Sequence, residues 1–204
     1  MIQGKIPILI LGVTGGIGSG KTSVCRVFSV LGVPVFSADP VAKKIMDNDK
    51  DIMQKINSIA GKDIYCEGTL NRTELAKLIF NNPKLLKKVN SIVHPVVFEH
   101  FKLWVVEQTA PYVIMEAAIL FESGAVRLVD KIATVVAPLE ERVQRVIRGK
   151  NLTRDQVMER IRNQIDDDTR IRKSDYVIFN AENDMIIPSI LNIHDDIMKR
   201  INLM

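Results

Sequence analysis

Eight consecutive residues near the amino terminus have the composition of a loop that binds nucleotide phosphates. They run from Gly15 to Thr22 and satisfy the pattern G-x-x-x-x-G-K-[ST]. Glycine permits positive φ values and lets backbone N–H groups contact phosphate oxygens. In this pattern Lys21 reaches the β- and γ-phosphates of ATP, and the hydroxyl of Thr22 is a ligand of Mg²⁺. The predicted nucleotide contacts are Gly15, Gly16, Ile17, Gly18, Ser19, Gly20, Lys21, Thr22 and Ser23.

A group of arginines in the last third of the chain indicates a second contact with ATP. The segment from Arg142 to Lys173 contains ten basic and five acidic residues, whereas the whole chain has a net charge of +4. Arg142, Arg145 and Arg148 recur every third residue, so on a helix a bound anion would offset their repulsion. We predict that Arg145 binds the nucleotide and that Arg148 stabilises the phosphoryl group during transfer. A solvated helix surface is the alternative for each arginine.

Three residues are candidates for binding the acceptor of the phosphoryl group. Asp39 follows the second predicted strand, at the sheet edge where open α/β folds bind ligands, and it could orient or accept the proton of a hydroxyl. It also precedes Pro40 and a helical stretch, which fits an N-cap. Arg72 could contact a substrate phosphate or lie on the surface. His94 precedes Pro95 in an apolar run and could be a ligand or a core residue.

Alternating strands and helices position these residues. Strands are predicted at the short aliphatic runs Ile8–Val13, Val33–Ser37, Tyr112–Glu116, Lys131–Ala137 and Tyr176–Phe179. The longer segments between them have helical apolar spacing. This alternation predicts an α/β fold of the P-loop NTPase type, with a five-stranded parallel sheet flanked by helices. Helix starts are predicted at Asn71 with Glu74, at Pro83, at Pro138 and at Thr153 with Gln156.

The spacing of the strands predicts a single domain over residues 1–204 with two helical insertions. Its core comprises residues 1–37, 112–137 and 174–204. Residues 38–111 are more than a simple crossover requires, and they are predicted to form a mainly helical lobe that binds the substrate. Residues 138–173 are predicted to form a basic helical hairpin, a mobile lid that closes over ATP and excludes water.

Composition argues against several other classes of protein. The mild net charge, and the absence of basic-aromatic interleaving around Trp104, predict no nucleic-acid partner. Cys25 and Cys66 form no Cys-x-x-Cys pair, which disfavours a zinc site or a disulfide framework and favours the cytoplasm. The apolar run from Ile8 to Val13 is too short to span a bilayer, so no membrane association is expected. We expect a monomer or a small homo-oligomer.

The phosphate loop alone leaves open what the nucleotide is used for, because such loops serve kinases, GTPase switches and motor ATPases. The chain has no Asn-Lys-x-Asp segment of the kind that reads guanine. It also has no aliphatic strand that ends in the Asp-Glu pair of many motors. A small-molecule kinase is therefore favoured, and a nucleotide-binding switch or motor is the alternative.

Several segments resemble the dephospho-coenzyme A kinase family. Thr14–Lys21 is similar to the opening block of that family, and Ser37-Ala38-Asp39 resembles its Asp-Ala-Asp triplet with serine in the first place. In two other segments, Glu116 stands where the family usually has aspartate and Arg142 where it usually has glutamine. The resemblance extends over Leu70–Arg72, Val89–Pro95, Val113–Glu122, Arg142–Arg148, Arg160–Gln164 and Asp175–Asn180.

The resemblance implies an ATP-dependent kinase that phosphorylates the ribose 3′-hydroxyl of dephospho-coenzyme A, the last step of coenzyme A biosynthesis. With it, the predicted catalytic residues are Lys21, Asp39 and Arg148, and Asp39 is expected to be a helix cap as well. Arg72 and His94 join Asp39 in the predicted substrate site. Thr22 and Glu116 are the predicted Mg²⁺ residues, the carboxylate acting through water. The nearest alternative is another P-loop kinase that acts on a nucleoside, nucleotide or sugar hydroxyl.

Overall fold

The computed structural model of the protein describes residues 8–80, 82–150 and 152–203. The first seven residues of the predicted core segment 1–37 lie outside the described residues. The same holds for residue 81 of the predicted insertion, residue 151 of the predicted lid and residue 204 at the end of the core.

A five-stranded parallel sheet forms the centre of the fold, in the order β2-β5-β1-β6-β7. The strands are β1 (Leu9–Gly15), β2 (Val35–Ser37), β3 (Tyr65–Cys66), β4 (Thr69–Leu70), β5 (Tyr112–Glu116), β6 (Lys131–Val136) and β7 (Tyr176–Phe179), of which β3 and β4 form a separate antiparallel pair. The five predicted strands are confirmed, with ends that differ by at most two residues. The register places Val13 of β1 beside Glu116 of β5.

The chain also forms helices. They are α1 (Lys21–Val30), α2 (Ala38–Asn48), α3 (Lys50–Ala60), α4 (Arg72–Phe80), α5 (Pro83–Val106), α6 (Leu139–Lys150), α7 (Arg154–Arg162), α8 (Asp167–Arg172) and α9 (Ile186–Ile201), and a 3₁₀ helix spans Ala125–Leu128. β1 is buried along almost its whole length, as expected for a central strand covered on both faces. Its aliphatic side chains pack with Val24, Phe28 and Ile190 of the flanking helices. The predicted α/β class is confirmed.

The chain divides into two compact units. The first comprises Met1–Phe36 with Glu107–Met204 and contains the five-stranded sheet. The second comprises Ser37–Val106, in which α5 packs against α2, α3 and α4. The predicted helix starts in this unit are confirmed, because the Asn71 side chain accepts a hydrogen bond from the Glu74 N–H and α5 begins at Pro83. The β3–β4 hairpin was not predicted, since strands of two residues leave no periodic pattern.

The predicted lid segment folds into three helices, α6, α7 and α8. Thr153 and Gln156 form the predicted capping box at the start of α7. α6 packs against α7 through Val143, Val146 and Val157, and Ile17 of the phosphate loop contacts this cluster. The third helix was missed because it is only six residues long and mostly polar, so it has no apolar spacing to mark it. The role of this segment as a lid stays a prediction.

Candidate active site

The phosphate loop joins β1 to α1 and has the backbone conformation that its glycines predict. Gly18 has a φ of 77° and Gly20 a φ of 94°, both in the region that favours glycine. Gly20 is the N-cap of α1 and has no side chain with which to cap the helix. An uncapped helix start that follows a glycine loop presents its first N–H groups to an anion. The residues predicted to contact nucleotide phosphates therefore have the geometry that such binding requires.

The Lys21 side chain folds back onto the phosphate loop. Its Nζ lies 2.9 Å from the carbonyl oxygen of Gly15 and 3.2 Å from that of Gly16. The Ser19 N–H also donates to the Gly16 carbonyl, over 3.1 Å. The ammonium group is thus held inside the curve of the loop, where phosphate oxygens of a bound nucleotide would be its natural partners.

Two side-chain oxygen atoms, from Thr22 on α1 and from Glu116 at the carboxyl end of β5, lie close together. The Thr22 hydroxyl donates to Oε1 of Glu116 over 3.0 Å. Hydroxyl and carboxylate oxygens are hard ligands of the kind Mg²⁺ prefers, and proteins typically supply only one or two carboxylates because phosphates and water complete its shell. The residues present therefore fit Mg²⁺, and their role in holding it stays a prediction.

The pKa of the Cys25 thiol is affected by charges near the Thr22–Glu116 pair. Burial on α1 raises the pKa of its thiol far above the ordinary range, the nearby carboxylate of Glu116 raises it further, and Lys21 opposes the shift. The thiol is therefore neutral at physiological pH and is not a nucleophile. The charges of Glu116 and Lys21 therefore act on this thiol in opposite directions.

Side chains from distant parts of the chain fix the shape of the loop. The Arg142 Nε donates to the Ile17 carbonyl over 3.0 Å, while the Ile17 N–H donates to the side chain of Gln164 over 2.9 Å. Asn180, which follows β7, donates from its amide to the Ser19 carbonyl over 2.8 Å. A Cβ added at Gly16 would collide with the guanidinium of Arg142. Arg142, Gln164 and Asn180 were not predicted as site residues, although each lies in a segment that resembles the family.

The comparisons with known proteins decide what the loop serves. Residues 9–185 match the family model described as dephospho-CoA kinase. The chain is 40% identical over 184 residues to the dephospho-CoA kinase of Bacteroides fragilis (strain YCH46), which covers 90% of each protein. The chain belongs to the dephospho-CoA kinase family.

Solved structures agree with this family membership. The chain superposes on a crystal structure from Thermus thermophilus with a TM-score of 0.80 and 29% identity, over 95% of this chain and 97% of the other. It superposes on a dephospho-CoA kinase from Campylobacter jejuni with a TM-score of 0.65 and 25% identity, over 93% and 97%. The chain is thus an ATP-dependent kinase of the last step of coenzyme A biosynthesis. The alternatives of a switch, a motor or a kinase with another acceptor are set aside.

Asp39, Arg72 and His94 all lie in the second unit, whereas the loop, Glu116, Arg145 and Arg148 lie in the first. Asp39 is exposed in the first turn of α2. The expectation that it caps this helix is wrong, because the N-cap is Ser37 and the helix begins at Ala38. The first four N–H groups of a helix have no partner within it, so a proline at the third helical position costs no hydrogen bond. The helix can therefore start before the Asp39-Pro40 pair, at Ala38.

Arg72 and His94 have partners within the second unit. The Arg72 guanidinium forms an ion pair with Asp47 over 2.6 Å and donates to the Lys43 carbonyl over 3.2 Å. His94 is half-buried on α5, with its ring centroid 6.1 Å from that of Phe98. Burial lowers the pKa of His94, so its imidazole is neutral at pH 7. The substrate-binding roles of both residues stay predictions.

The arginines of α6 differ from each other in their surroundings. Arg145 forms an ion pair with Glu141 over 2.9 Å and donates to the Asn180 carbonyl over 2.9 Å. Arg142 is buried and paired with Asp167. The argument that these arginines need a bound anion to offset their repulsion is therefore wrong, because carboxylates already lie beside two of them. Arg148 is exposed, and it makes no ion pair within the described residues.

Proposed function

We propose that the phosphate loop binds ATP and that the γ-phosphoryl group is transferred there to the ribose 3′-hydroxyl of dephospho-CoA. The observation that carries the proposal is the position of the Lys21 ammonium, inside a glycine loop and at the start of an uncapped helix. Phosphoryl transfer requires alignment and compensation of negative charge more than covalent chemistry by the protein. Lys21 would exchange its two carbonyl partners for the β- and γ-phosphates.

Thr22 and Glu116 are proposed to hold Mg²⁺. Their oxygen atoms lie 3.0 Å apart, and the hydroxyl would contact the metal ion while the carboxylate holds one of its water ligands. When bound, Mg²⁺ would neutralise part of the phosphate charge. The chain itself contributes the two oxygen atoms, the lysine cation and the backbone N–H groups of the loop.

The acceptor is proposed to bind through residues of the second unit. Asp39 would orient the 3′-hydroxyl and accept its proton, and its place in the first turn of α2 supports a negative charge there, because the positive end of the helix dipole stabilises it. Arg72 would contact a phosphate of dephospho-CoA, and the neutral His94 would donate or accept a hydrogen bond. Family resemblance supports these three assignments.

The cysteines bear on the cellular compartment of the reaction. Cys25 and Cys66 are both free thiols, which suits a reducing compartment, so we propose that the protein acts in the cytoplasm. Within the described residues, no helix has the length and apolarity that a membrane crossing requires. We propose a monomer or small homo-oligomer that acts on a small molecule without a nucleic-acid partner.

The choice of acceptor is tested by measuring ADP release from ATP with a panel of acceptors. The panel contains dephospho-CoA, adenosine, AMP, shikimate and a hexose, each with Mg²⁺. We expect strong stimulation by dephospho-CoA alone. Equal or greater stimulation by another acceptor would contradict the proposal.

Arg148→Ala is expected to lower kcat by about tenfold, with little change in KM for ATP. An exposed cation that approaches the phosphoryl group only during transfer contributes to the transition state more than to nucleotide binding, and tenfold corresponds to about 1.4 kcal/mol. Steady-state kinetics with varied ATP measure both constants. Arg26→Ala, which removes an exposed arginine of α1, is the control. A raised KM with parental kcat would make Arg148 a nucleotide-binding residue only.

Glu116→Gln is expected to raise the Mg²⁺ concentration for half-maximal activity by about tenfold, as loss of an outer-sphere carboxylate does. The amide keeps the shape of the side chain and can still accept from Thr22, but it no longer carries the charge that attracts the metal ion. Activity is measured over a titration of MgCl₂ at fixed ATP. Glu107→Gln alters an exposed carboxylate and should leave the titration unchanged. An unchanged midpoint in Glu116→Gln would remove Glu116 from the metal site.

A further inference from the structure

The peptide groups on both sides of Ile17 are held by long side chains from the segment 138–173. The Ile17 carbonyl accepts from Nε of Arg142, and the Ile17 N–H donates to Oε1 of Gln164. Gln164 also donates to the Ala118 carbonyl over 3.3 Å, which ties it to the chain beyond β5. Arg142 and Gln164 are more than a hundred residues from Ile17 in sequence, so these contacts form only when the first unit folds.

These contacts determine which way the neighbouring backbone groups face. A trans peptide is planar, so its C=O and N–H point in opposite directions. Because the Ile17 N–H faces Gln164, the Gly16 carbonyl faces away from it, towards Lys21 and the Ser19 N–H, and the observed hydrogen bonds agree. By the same geometry, the Ile17 carbonyl faces Arg142 and the Gly18 N–H faces the opposite side. Arg142 thus sets the direction of a loop N–H.

Arg142 is itself held in place by a buried ionic cluster. Its side chain is only 4% exposed and pairs with Asp167, which is 33% exposed and also pairs with Arg170, 1% exposed. Arg170 further donates to the Ile165 carbonyl over 3.0 Å. The guanidinium groups of Arg142 and Arg170 share the carboxylate of Asp167, so the cluster has a net charge of +1. It adjoins the phosphate loop, because Arg142 contacts the Ile17 carbonyl. Burying a charge removes its hydration, and this loss of free energy is offset only when the paired groups keep a well-defined geometry.

We propose that Arg142 is a positioning residue for phosphate binding. Anchored by Asp167, which Arg170 also holds, it turns the Ile17–Gly18 peptide so that the Gly18 N–H faces the nucleotide phosphate. Its planar guanidinium also fills the space beside Gly16, where a Cβ would collide with it. The inference rests on the proposed function of the loop and adds a requirement to it. The loop binds phosphate well only when the segment 138–173 supplies Arg142.

The test measures ADP affinity by calorimetry in Arg142→Lys and Arg142→Gln. Lysine keeps the charge and glutamine keeps an amide donor, but neither can hold Asp167 and the Ile17 carbonyl together as the fork of arginine does. We expect each variant to bind ADP about tenfold more weakly, the effect of losing a hydrogen bond to a charged group. KM for ATP should rise by a similar factor with a smaller change in kcat. The NMR shift of the Gly18 amide on adding ADP should shrink.

Arg154→Lys and Arg154→Gln are the matched controls. Arg154 forms an exposed two-bond ion pair with Glu140, at 2.7 and 2.8 Å, and so joins α7 to α6 without contacting the loop. Because exposed pairs contribute little, ADP affinity should stay within about twofold of the parent. Thermal unfolding of all four variants shows whether weaker binding accompanies a general loss of stability.

Asp167→Asn separates positioning from simple attraction. Asparagine removes the negative charge between Arg142 and Arg170. If these arginines act only by attracting the phosphates, ADP should then bind more tightly, but if Asp167 is needed to hold Arg142 in place, ADP should bind more weakly. We expect weaker binding, and tighter binding would overturn the inference. This variant decides the question if the Arg142 variants do not fold.

Lys21→Ala distinguishes failure of the inference from failure of the function on which it rests. Parental ADP affinity in Lys21→Ala would contradict phosphate binding by the loop. Weak binding in Lys21→Ala, together with parental affinity in Arg142→Lys and Arg142→Gln, would overturn the role of Arg142 alone.

Discussion

Replacing Lys21 with alanine is expected to lower kcat by about a thousandfold. Its ammonium group lies within 3.2 Å of two loop carbonyls, and the lysine of such a loop contributes its positive charge at the β- and γ-phosphates. Removal of one preorganised charge-stabilising donor commonly costs a hundred- to a thousandfold, about 3 to 4 kcal/mol. Coupled-enzyme detection of ADP with saturating ATP and dephospho-CoA measures the loss.

Two comparisons make this result specific. Lys102→Ala removes an exposed lysine that pairs with Glu99, and it should keep parental turnover. Lys21→Met retains most of the side-chain volume and should be as inactive as the alanine variant, which would show that the charge matters and not the packing. Circular dichroism should show an unchanged fold for all three. Parental turnover in either folded Lys21 variant would contradict the assignment.

Asp39→Asn is expected to lower kcat by about a hundredfold, the lower range for a positioned general base. Asparagine keeps the size and the hydrogen-bonding reach of the side chain but cannot take the proton of the 3′-hydroxyl. Since Ser37 is the N-cap of α2, the substitution removes no cap and costs only a first-turn charge, about 0.3 to 1 kcal/mol. The activity loss should therefore appear without a matching loss of stability.

Asp51→Asn is the matched control for Asp39. Asp51 lies in the first turn of α3, as Asp39 does in α2, and pairs with Lys55 on the surface. Both substitutions remove one carboxylate from a helix start, so their effects on thermal unfolding should be similar while only Asp39→Asn lowers kcat. Turnover within about threefold of the parent in Asp39→Asn would leave Asp39 an orienting residue at most, because general bases contribute more than that.

The sheet and the phosphate loop are predictable from sequence because their signals are local. Runs of aliphatic residues mark strands that are buried on both faces, and the glycine pattern fixes the loop that joins β1 to α1. The Thr22–Glu116 pair also follows from order along the chain, since the ends of adjacent parallel strands meet at one edge of the sheet. Local patterns therefore account for the centre of the site.

Other features depend on contacts that no local pattern encodes. Arg142 lies 125 residues from Ile17, and Gln164 lies 147 residues from it. The regular spacing of Arg142, Arg145 and Arg148 predicted that they lie near one another beside a bound anion, but burial of Arg142 against Asp167 gives the three arginines different surroundings. The start of α2 was missed for a different reason, because Asp followed by Pro is a strong capping signal, whereas the helix begins at Ala38, one residue before Asp39, with Ser37 as its N-cap.

The central claim is that this chain transfers the γ-phosphoryl group of ATP to the 3′-hydroxyl of dephospho-CoA. It is tested most directly by incubating the purified protein with ATP, Mg²⁺ and dephospho-CoA and following the products by ³¹P NMR, with Lys21→Ala as the inactive control. A new phosphomonoester signal that matches authentic coenzyme A, formed in equal amount to ADP and absent with Lys21→Ala, is the predicted result. ADP formed without that signal, or a phosphomonoester at another position, would contradict the claim.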